Sequence, residues 1–244
     1  MAGGLDQILR VGRRGARRAA MWLQGRTIPP VVQAVHENGL TYLGENALLD
    51  LYEQVRRVED EHLEGRLIEA GCALGGSAIV IAAAKAKERH LYVYDVFDMI
   101  PPPTEQDGED VHERYRVIAR GKSQGIKGAT YYGYRKDLYS VVEDNFAKEG
   151  VPVEENNVHL IQGLFQNTLD VDGPVALAHI DGDWYESVMT CLGRIEPNLI
   201  SGGVLIIDDY DCWSGCRKAV DEYFYEKMDS FKFVKQSRLQ IFRK

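Results

Sequence analysis

Short apolar runs alternate with amphipathic segments along most of this 244-residue chain. Apolar runs of about six to eight residues are typical of strands buried on both faces of a sheet, and the segments between them show the period of helices. The alternation predicts an α/β fold in which helices cover a parallel sheet. The predicted strands are residues 66–71, 91–96, 158–165, 175–181 and 203–210. The predicted helices are residues 77–88, 137–149, 185–196 and 214–228, and a further helix begins near residue 41.

Two apolar runs at the end of the chain break this alternation. Residues 231–236 and 239–243 are separated only by Ser237 and Arg238. A crossover between parallel strands needs about a dozen residues, whereas two residues suffice for a hairpin. We therefore predict a Rossmann-like sheet of seven strands, mostly parallel, that ends in an antiparallel C-terminal hairpin.

The N-terminal part of the chain differs from the rest in charge. Residues 1–26 contain six arginines and one aspartate, although the whole chain has a formal charge of −8. Some apolar positions in this segment share one side of a helix, which suggests a lid, a subunit contact in a homo-oligomer or a membrane-surface segment; a solvated, frayed terminus is the alternative. We predict an N-terminal helical arm over residues 1–60, followed by one domain over residues 61–244. Within this domain, residues 97–135 form an insertion between core strands.

The amino-acid composition limits the kinds of partner that the chain is expected to bind. The 37 acidic residues outnumber the 29 basic ones, whereas a sequence-independent nucleic-acid binder needs a basic surface. No apolar run approaches the roughly 20 residues that span a bilayer, so we expect no integral membrane association. The four cysteines lack both paired zinc spacing and a preceding secretory signal, which favours reduced thiols and a cytoplasmic protein. Small molecules are the expected partners.

A glycine-rich turn follows the first predicted strand. Its spacing, G-x-x-x-G-G, differs from the G-x-G-x-x-G of dinucleotide sites, and no P-loop lysine follows it. Glu69 before the turn would repel a pyrophosphate and attract an amino group, and Asp95 ends the next strand, where an acid can bind ribose hydroxyls. S-adenosylmethionine meets these demands without a phosphate; a purely structural turn is the alternative. The predicted cofactor residues are Glu69, Gly71, Ala73, Gly75, Ser77, Asp95, Gly163, Phe165 and Asp181.

Four carboxylates follow the fourth and fifth predicted strands. Asp181 and Asp183 come after one strand, and Asp208 and Asp209 after the next. Because parallel strands end at one edge of a sheet, these side chains should converge. Carboxylates about 4 Å apart repel by roughly 1–4 kcal/mol at effective dielectrics of about 80 to 20, so the cluster either takes up protons or holds a cation. Oxygen ligands without His or Cys favour Mg²⁺, with Ca²⁺ or Mn²⁺ as alternatives, and an ordinary acidic surface is the simplest other explanation.

Three segments together resemble a known family. EAGCALGGS, HIDGDWYES and LIIDDYDCWSGCRKAVDEYF, at residues 69–77, 179–187 and 205–224, are similar to the metal-dependent macrocin O-methyltransferase (TylF-type) family, and the resemblance extends over roughly residues 40–244. It implies a class I methyltransferase fold and the methylation of sugar or phenolic hydroxyls of natural products by S-adenosylmethionine. It also implies Mg²⁺ held by Asp181, Asp208 and Asp209, and Asp183 as the residue that removes the proton of the acceptor.

Some alternatives stay open at this stage. His179 could serve as the base instead of Asp183, although a histidine in a buried strand more often satisfies a core hydrogen bond. The acceptor is expected to be a sugar hydroxyl, with a phenol as the alternative, and the tyrosine-rich insertion suits either. A nucleotide-binding oxidoreductase and a non-catalytic protein on a methyltransferase fold are the competing functions, and the latter would be marked by a broken acid cluster.

Overall fold

A seven-stranded sheet forms the centre of the computed structural model, which describes residues 27–244. The strand order is β3-β2-β1-β4-β5-β7-β6. Strands β1 to β5 run parallel, and β7 is antiparallel to both β5 and β6. The predicted α/β fold and its C-terminal hairpin are therefore confirmed. The strands are β1 Arg66–Ala70, β2 Leu91–Asp95, β3 Val158–Gln162, β4 Val175–Ile180, β5 Leu199–Ile207, β6 Phe231–Lys235 and β7 Leu239–Arg243.

Helices cover both faces of this sheet. Those predicted after residue 41, after β1, before β3, after β4 and after β5 are all present, whereas Pro30–Asn38, Glu109–Ala119 and Phe165–Thr168 were not predicted. The last of these begins within the predicted strand 158–165, which ends at Gln162. The α-helices are α1 Pro30–Asn38, α2 Glu45–Asp60, α3 Gly76–Ala84, α4 Glu109–Ala119, α5 Leu138–Lys148, α6 Phe165–Thr168, α7 Tyr185–Ile195 and α8 Ser214–Phe224.

Several element boundaries differ from the prediction by a few residues, and two of these differences have a local reason. Strand β5 begins at Leu199 rather than at residue 203, because Leu199 already pairs with Val175 and the strand then bulges before Val204 pairs with Leu177. Helix α3 ends at Ala84 rather than at residue 88. The next residue, Lys85, leaves the helical conformation, and its ammonium group donates to the backbone carbonyl of Asn156.

The described part of the N-terminal region belongs to the domain that contains the sheet. Val31–Lys244 form one compact unit, so α2 and nearly all of α1 lie in it rather than in a separate arm that ends at residue 60. Helix α2 presents Leu48, Leu51 and Val55 to the core, where all three are buried. The predicted arm and its arginines fall within residues 1–26, which lie outside the described residues.

The carboxyl edge of the sheet is where the chain can place functional side chains. Asp181 donates its backbone N–H to the Ala70 carbonyl, and Asp208 donates to the Ile180 carbonyl, so the ladder continues one residue beyond β4 and β5. In open α/β sheets ligands bind outside this edge, at the point where the strand order reverses, which here is between β1 and β4. Among the described helices, none is long and apolar enough to cross a membrane.

Candidate active site

Two clefts meet at the carboxyl edge of the sheet. The first cleft lies over the loops after β1 and β2 and measures about 560 Å³ with its open mouth; Gly71, Ala73, Asp95, Phe165 and Asp181 are among the residues that line it. It is called the donor cleft because these five residues were predicted from the sequence to bind S-adenosylmethionine. The acid cleft lies over the loops after β4 and β5, measures about 780 Å³, and is lined by the four aspartates, Tyr42, Arg114, Trp213 and Arg238 among others. Five residues line both clefts: Ala73, Ile100, Tyr132, Asp181 and Asp183.

Asp95 shapes the loop that forms the floor of the donor cleft. Its Oδ2 accepts the backbone N–H groups of Cys72 (2.7 Å) and Ala73 (3.2 Å), and its Oδ1 accepts that of Phe97 (2.7 Å). Burial raises the pKa of Asp95, and these three donors oppose the rise because they favour the carboxylate. The residue therefore holds the glycine-rich loop in place while one side of it faces the cleft.

Gly71 is required by the packing of this loop against β4. Its φ of +90° lies in the left-handed region, and a Cβ at this position would overlap the backbone carbonyl oxygen of Asp181. Gly71→Ala is expected to lower the free energy of unfolding by about 2–4 kcal/mol, since both backbone strain and overpacking are introduced. Urea denaturation measures this change. Gly193→Ala is the control, because an added Cβ there meets no heavy atom within 4 Å. An equal effect of the two substitutions would contradict the packing argument.

Four of the predicted cofactor residues do not line the donor cleft. Glu69 is fully buried, where it accepts a hydrogen bond from Ser77 Oγ and lies 3.0 Å from Nδ1 of His179. A Cβ at Gly75 would meet Val142, and one at Gly163 would overlap Thr168. Glu69, Gly75, Ser77 and Gly163 therefore lie against neighbouring side chains and do not line the donor cleft.

The buried position of Glu69 gives a test of its role. Glu69→Ala leaves His179 without its carboxylate, and breaking a buried ion pair costs about 3–5 kcal/mol. We expect the free energy of unfolding, measured in urea, to fall by this amount, and Glu69→Gln, which keeps an acceptor for Ser77, to lose less. A variant of normal stability that binds S-adenosylhomocysteine more than tenfold weaker would instead show that Glu69 contacts the cofactor.

Three aspartates form a compact cluster at the base of the acid cleft. One carboxylate oxygen each of Asp181, Asp208 and Asp209 lies within 4.8 Å of the others, and Oδ2 of Asp209 is buried without a hydrogen-bond partner in the described part of the chain. Burial and the three neighbouring aspartates raise the pKa of Asp181 well above its usual range, and burial and Asp208 raise the pKa of Asp209 to about 6. An oxygen cluster with an unpaired buried acceptor fits a hard divalent cation.

Two cations already compensate part of this charge. Burial alone would raise the pKa of Asp208, but His179 and Arg238 lower it below its ordinary value. The Arg238 guanidinium donates to Oδ1 of Asp208, and Nε2 of His179 lies 3.8 Å from the same oxygen. His179 is fully buried and lines neither cleft, which favours a core role for it over that of a base.

Asp183 stands at the junction of the two clefts. Its backbone has a φ of +52°, and its Oδ1 accepts a hydrogen bond from Trp213 Nε1 at 3.1 Å. Burial, followed by the charges of Asp209 and Asp208, raises the pKa of Asp183 well above its ordinary value. A carboxylate made more basic in this way, at the boundary between two clefts, can accept a proton from a molecule in the acid cleft.

Several lining residues were not predicted from the sequence. Tyr42 comes from the loop before α2, Arg114 from α4, and Arg238 from the turn of the C-terminal hairpin. Tyr132 lines both clefts and belongs to the tyrosine cluster of the insertion, whose composition was the only signal available.

A comparison with protein families identifies the chain. Residues 24–230 match the family described as macrocin-O-methyltransferase (TylF). The chain belongs to this macrocin O-methyltransferase family. It is therefore an O-methyltransferase, and the class I fold of the family makes S-adenosylmethionine the methyl donor. Membership of this family excludes the nucleotide-binding oxidoreductase that the sequence left open as a competing function.

Individual relatives of this macrocin O-methyltransferase family member are known. The chain is 30% identical over 207 residues to the 8-demethyl-8-(2,3-dimethoxy-alpha-L-rhamnosyl)-tetracenomycin-C 4'-O-methyltransferase of Streptomyces olivaceus, covering 82% of this chain and 71% of that protein. It is 29% identical to the demethyldecarbamoylnovobiocin O-methyltransferase of Streptomyces niveus, covering 76% and 68%. Among solved structures, the O-methyltransferase NovP matches with a TM-score of 0.68 at 24% identity, covering 84% of this chain and 82% of that one. At this identity the structural match supports the fold alone.

Proposed function

We propose that this family member transfers the methyl group of S-adenosylmethionine to a sugar hydroxyl of a small natural product or of its activated precursor, with the help of Mg²⁺. The observation that carries the proposal is the position of Asp181 and Asp183, which line both clefts. A donor in one cleft and an acceptor in the other would meet beside these carboxylates. Holding the two reactants in line about 3 Å apart supplies a large part of the rate enhancement of such a reaction.

The donor cleft suits the cofactor by its chemistry. Of the predicted cofactor residues, Gly71, Ala73, Asp95, Phe165 and Asp181 line it. Phe165 offers a ring face for an adenine, and Asp95 offers carboxylate oxygens for ribose hydroxyls. Glu69, Gly75, Ser77 and Gly163 would act indirectly, through the shape of the loops.

The aspartate cluster would hold the metal ion. Asp181, Asp208 and Asp209 are the ligands that we propose, since they alone among the described acidic, histidine and cysteine residues form a group with metal-site spacing. When bound, Mg²⁺ would stabilise the deprotonated form of the acceptor hydroxyl. Ca²⁺ and Mn²⁺ fit the same oxygen ligands. Arg238 and His179 hold Asp208 in its charged, ligating form.

Asp183 is the proposed general base. A phenol has a pKa near 10 and an aliphatic hydroxyl a higher one, so the acceptor must lose its proton as the methyl group is transferred. The hydrogen bond from Trp213 orients the Asp183 carboxylate at the edge of the acid cleft. A base in this position contributes about 10²–10⁴-fold to the rate.

The walls of the acid cleft are suited to a sugar. Tyr42, Tyr131, Tyr132 and Trp213 present aromatic surface, and Arg114 adds a cation 5.7 Å from the centre of the Tyr131 ring. Aromatic faces stack on the C–H faces of a pyranose while polar groups bind its hydroxyls. The Streptomyces olivaceus relative is named for a rhamnosyl substrate. A further solved structure, that of the calicheamicin methyltransferase CalS11, is 17% identical with a TM-score of 0.59, and CalS11 is also described as a TDP-rhamnose 3'-o-methyltransferase. The same tyrosines accommodate a phenol, which is the second candidate.

A mass-spectrometric screen tests the proposed function. The purified chain is incubated with S-adenosylmethionine and Mg²⁺ and with TDP-rhamnose, 4-nitrophenyl rhamnoside, rhamnosylated natural products and simple phenols. We expect a gain of one methyl group on a sugar-bearing acceptor and none in reactions without the donor. Methylation of phenols alone would favour the second candidate, and no methylated product from any hydroxyl would count against both.

A further inference from the structure

The outer wall of the acid cleft comes from the insertion. Ile100, Arg114, Ile118, Tyr131 and Tyr132 all lie within residues 97–135, whereas the aspartates come from strand ends of the core. An acceptor between them would therefore contact two parts of the chain that are distant in sequence. Its binding depends on how the insertion is fixed to the core.

Two carboxylates of the insertion bind the starts of two core helices. Asp107 Oδ1 accepts the backbone N–H of Tyr185, the first residue of α7, at 2.8 Å. Asp110 Oδ2 accepts the backbone N–H of Ser214, the first residue of α8, at 3.0 Å, and its Oδ1 accepts the Ser214 hydroxyl. Neither helix has a side-chain cap from the residue that precedes it. The insertion thus supplies caps that these helices lack, at ends where the helix dipole favours an anion.

Two glycines allow the insertion to lie this close to helix α8. A Cβ at Gly215 in α8 would overlap Oδ1 of Asp107, and a Cβ at Gly108 would overlap the Ser214 side chain. A larger residue at Gly215 would displace the Asp107 carboxylate, and one at Gly108 would displace the Ser214 hydroxyl. Asp107 also accepts the N–H of Thr104 at 2.9 Å, which closes the loop that carries it.

Two further hydrogen bonds join the same part of the insertion to the core. Trp184 Nε1 donates to the Pro101 carbonyl at 2.9 Å, and Lys218 Nζ donates to Gln106 Oε1 at 2.7 Å. The insertion is therefore held along residues 101–110, immediately before α4, which carries Arg114 and Ile118 into the acid cleft.

We propose that Asp107 and Asp110 are positioning residues for the acceptor: they anchor the insertion on the N termini of α7 and α8 and so fix the outer wall of the acid cleft. The proposal rests on the proposed function in one respect, that the acid cleft holds the acceptor. The two carboxylates affect acceptor binding indirectly, because they fix the position of the outer wall. They contact neither the donor nor the reacting atoms.

Hydrogen exchange and kinetics together test this role. The double variant Asp107→Ala/Asp110→Ala is compared with Asp110→Asn, which keeps an oxygen for the Ser214 N–H and offers an amide to its hydroxyl, and with Gly215→Ala, which displaces the Asp107 carboxylate. Asp144→Ala, an exposed substitution on α5, is the matched control. Exchange is measured by mass spectrometry with S-adenosylhomocysteine bound, and the affinity for this ligand by calorimetry. Acceptor KM and kcat are measured with whichever screen probe the wild type methylates.

In the double variant and in Gly215→Ala, the backbone amides of residues 101–119 are expected to exchange at least tenfold faster than in the wild type. The acceptor KM of these variants should rise at least tenfold, with kcat and S-adenosylhomocysteine affinity changed less than threefold, while Asp110→Asn and the control stay within twofold of wild type. Unchanged exchange in the insertion, or an unchanged acceptor KM, would overturn the proposal. So would equal acceleration throughout the sheet, which marks general destabilisation. If the wild type methylates no hydroxyl, the proposed function fails, and the exchange data still decide whether the two carboxylates anchor the insertion.

Discussion

Asp183→Asn is expected to lower kcat by about 10²–10⁴-fold, the contribution usual for a positioned general base. The substitution keeps the size of the side chain and an oxygen that can accept the Trp213 hydrogen bond, so the cleft should keep its shape. What it removes is the basic oxygen at the boundary between the donor cleft and the acid cleft. Kinetics with an acceptor found in the screen measure the loss, and calorimetry with S-adenosylhomocysteine should show donor-cleft affinity within about threefold of wild type.

Asp211→Asn is the control for this prediction. Asp211 is exposed, pairs with Lys235 and Arg217, and lines neither cleft, although it lies only two residues after Asp209 in sequence. Turnover of this variant should stay within about twofold of wild type. Near-normal turnover of Asp183→Asn with intact donor binding would show that another group accepts the proton.

Removal of divalent cations is expected to lower turnover by at least about 10³-fold. A metal ion stabilises charge that develops on an oxygen by several kcal/mol, and each 1.36 kcal/mol corresponds to a factor of ten. Turnover is measured after treatment with EDTA and again after Mg²⁺ is added in excess, which should restore it. Full activity in EDTA would remove the metal from the mechanism.

Asp209→Asn separates the metal effect from a general effect of the chelator. Without metal, this variant should melt at a higher temperature than the wild type, because one of the mutually repelling carboxylates is gone. Mg²⁺ should raise the Tm of the wild type, since a ligand that binds only the folded state stabilises it, and should leave the Tm of the variant unchanged. An equal Mg²⁺ response of the two proteins would contradict the assignment of Asp209 as a ligand.

The core of the fold could be predicted because its signals are local. Strands β1, β2, β4 and β5 consist largely of buried apolar residues, and the connection between β6 and β7 is too short for anything but a hairpin. The convergence of Asp181 and Asp208 followed from the same pattern, since neighbouring parallel strands end together. Helix α4 was not predicted, because the proline-rich start of the insertion and its many charged residues hide the helical period.

The position of Glu69 depends on information that a single segment does not contain. The motif after β1 predicts a turn near a ligand, but the register of the sheet places Glu69 opposite His179 of β4. The pairing of a buried carboxylate with a buried imidazole then accounts for both residues, and both stay behind the clefts. A sequence with one acid and one histidine 110 residues apart shows neither the pairing nor its burial.

Arg238 is a residue of the candidate site that could not be predicted from the sequence. It lies in a hairpin turn, where a polar residue is expected, and only the antiparallel pairing of β7 with β5 brings that turn beside Asp208. Tyr42 and Arg114 likewise reach the acid cleft from loops and helices whose arrangement is set by tertiary packing. In the proposed function, residues of this kind would determine which acceptor fits, whereas the aspartates predicted from the sequence would carry out the reaction.

The most direct test is a calorimetric titration of Mg²⁺ into the complex of the protein with S-adenosylhomocysteine, for the wild type and for Asp209→Asn. The account predicts one bound ion per chain in the wild type and no measurable binding in the variant. Identical binding in both proteins, or none in the wild type, would contradict it.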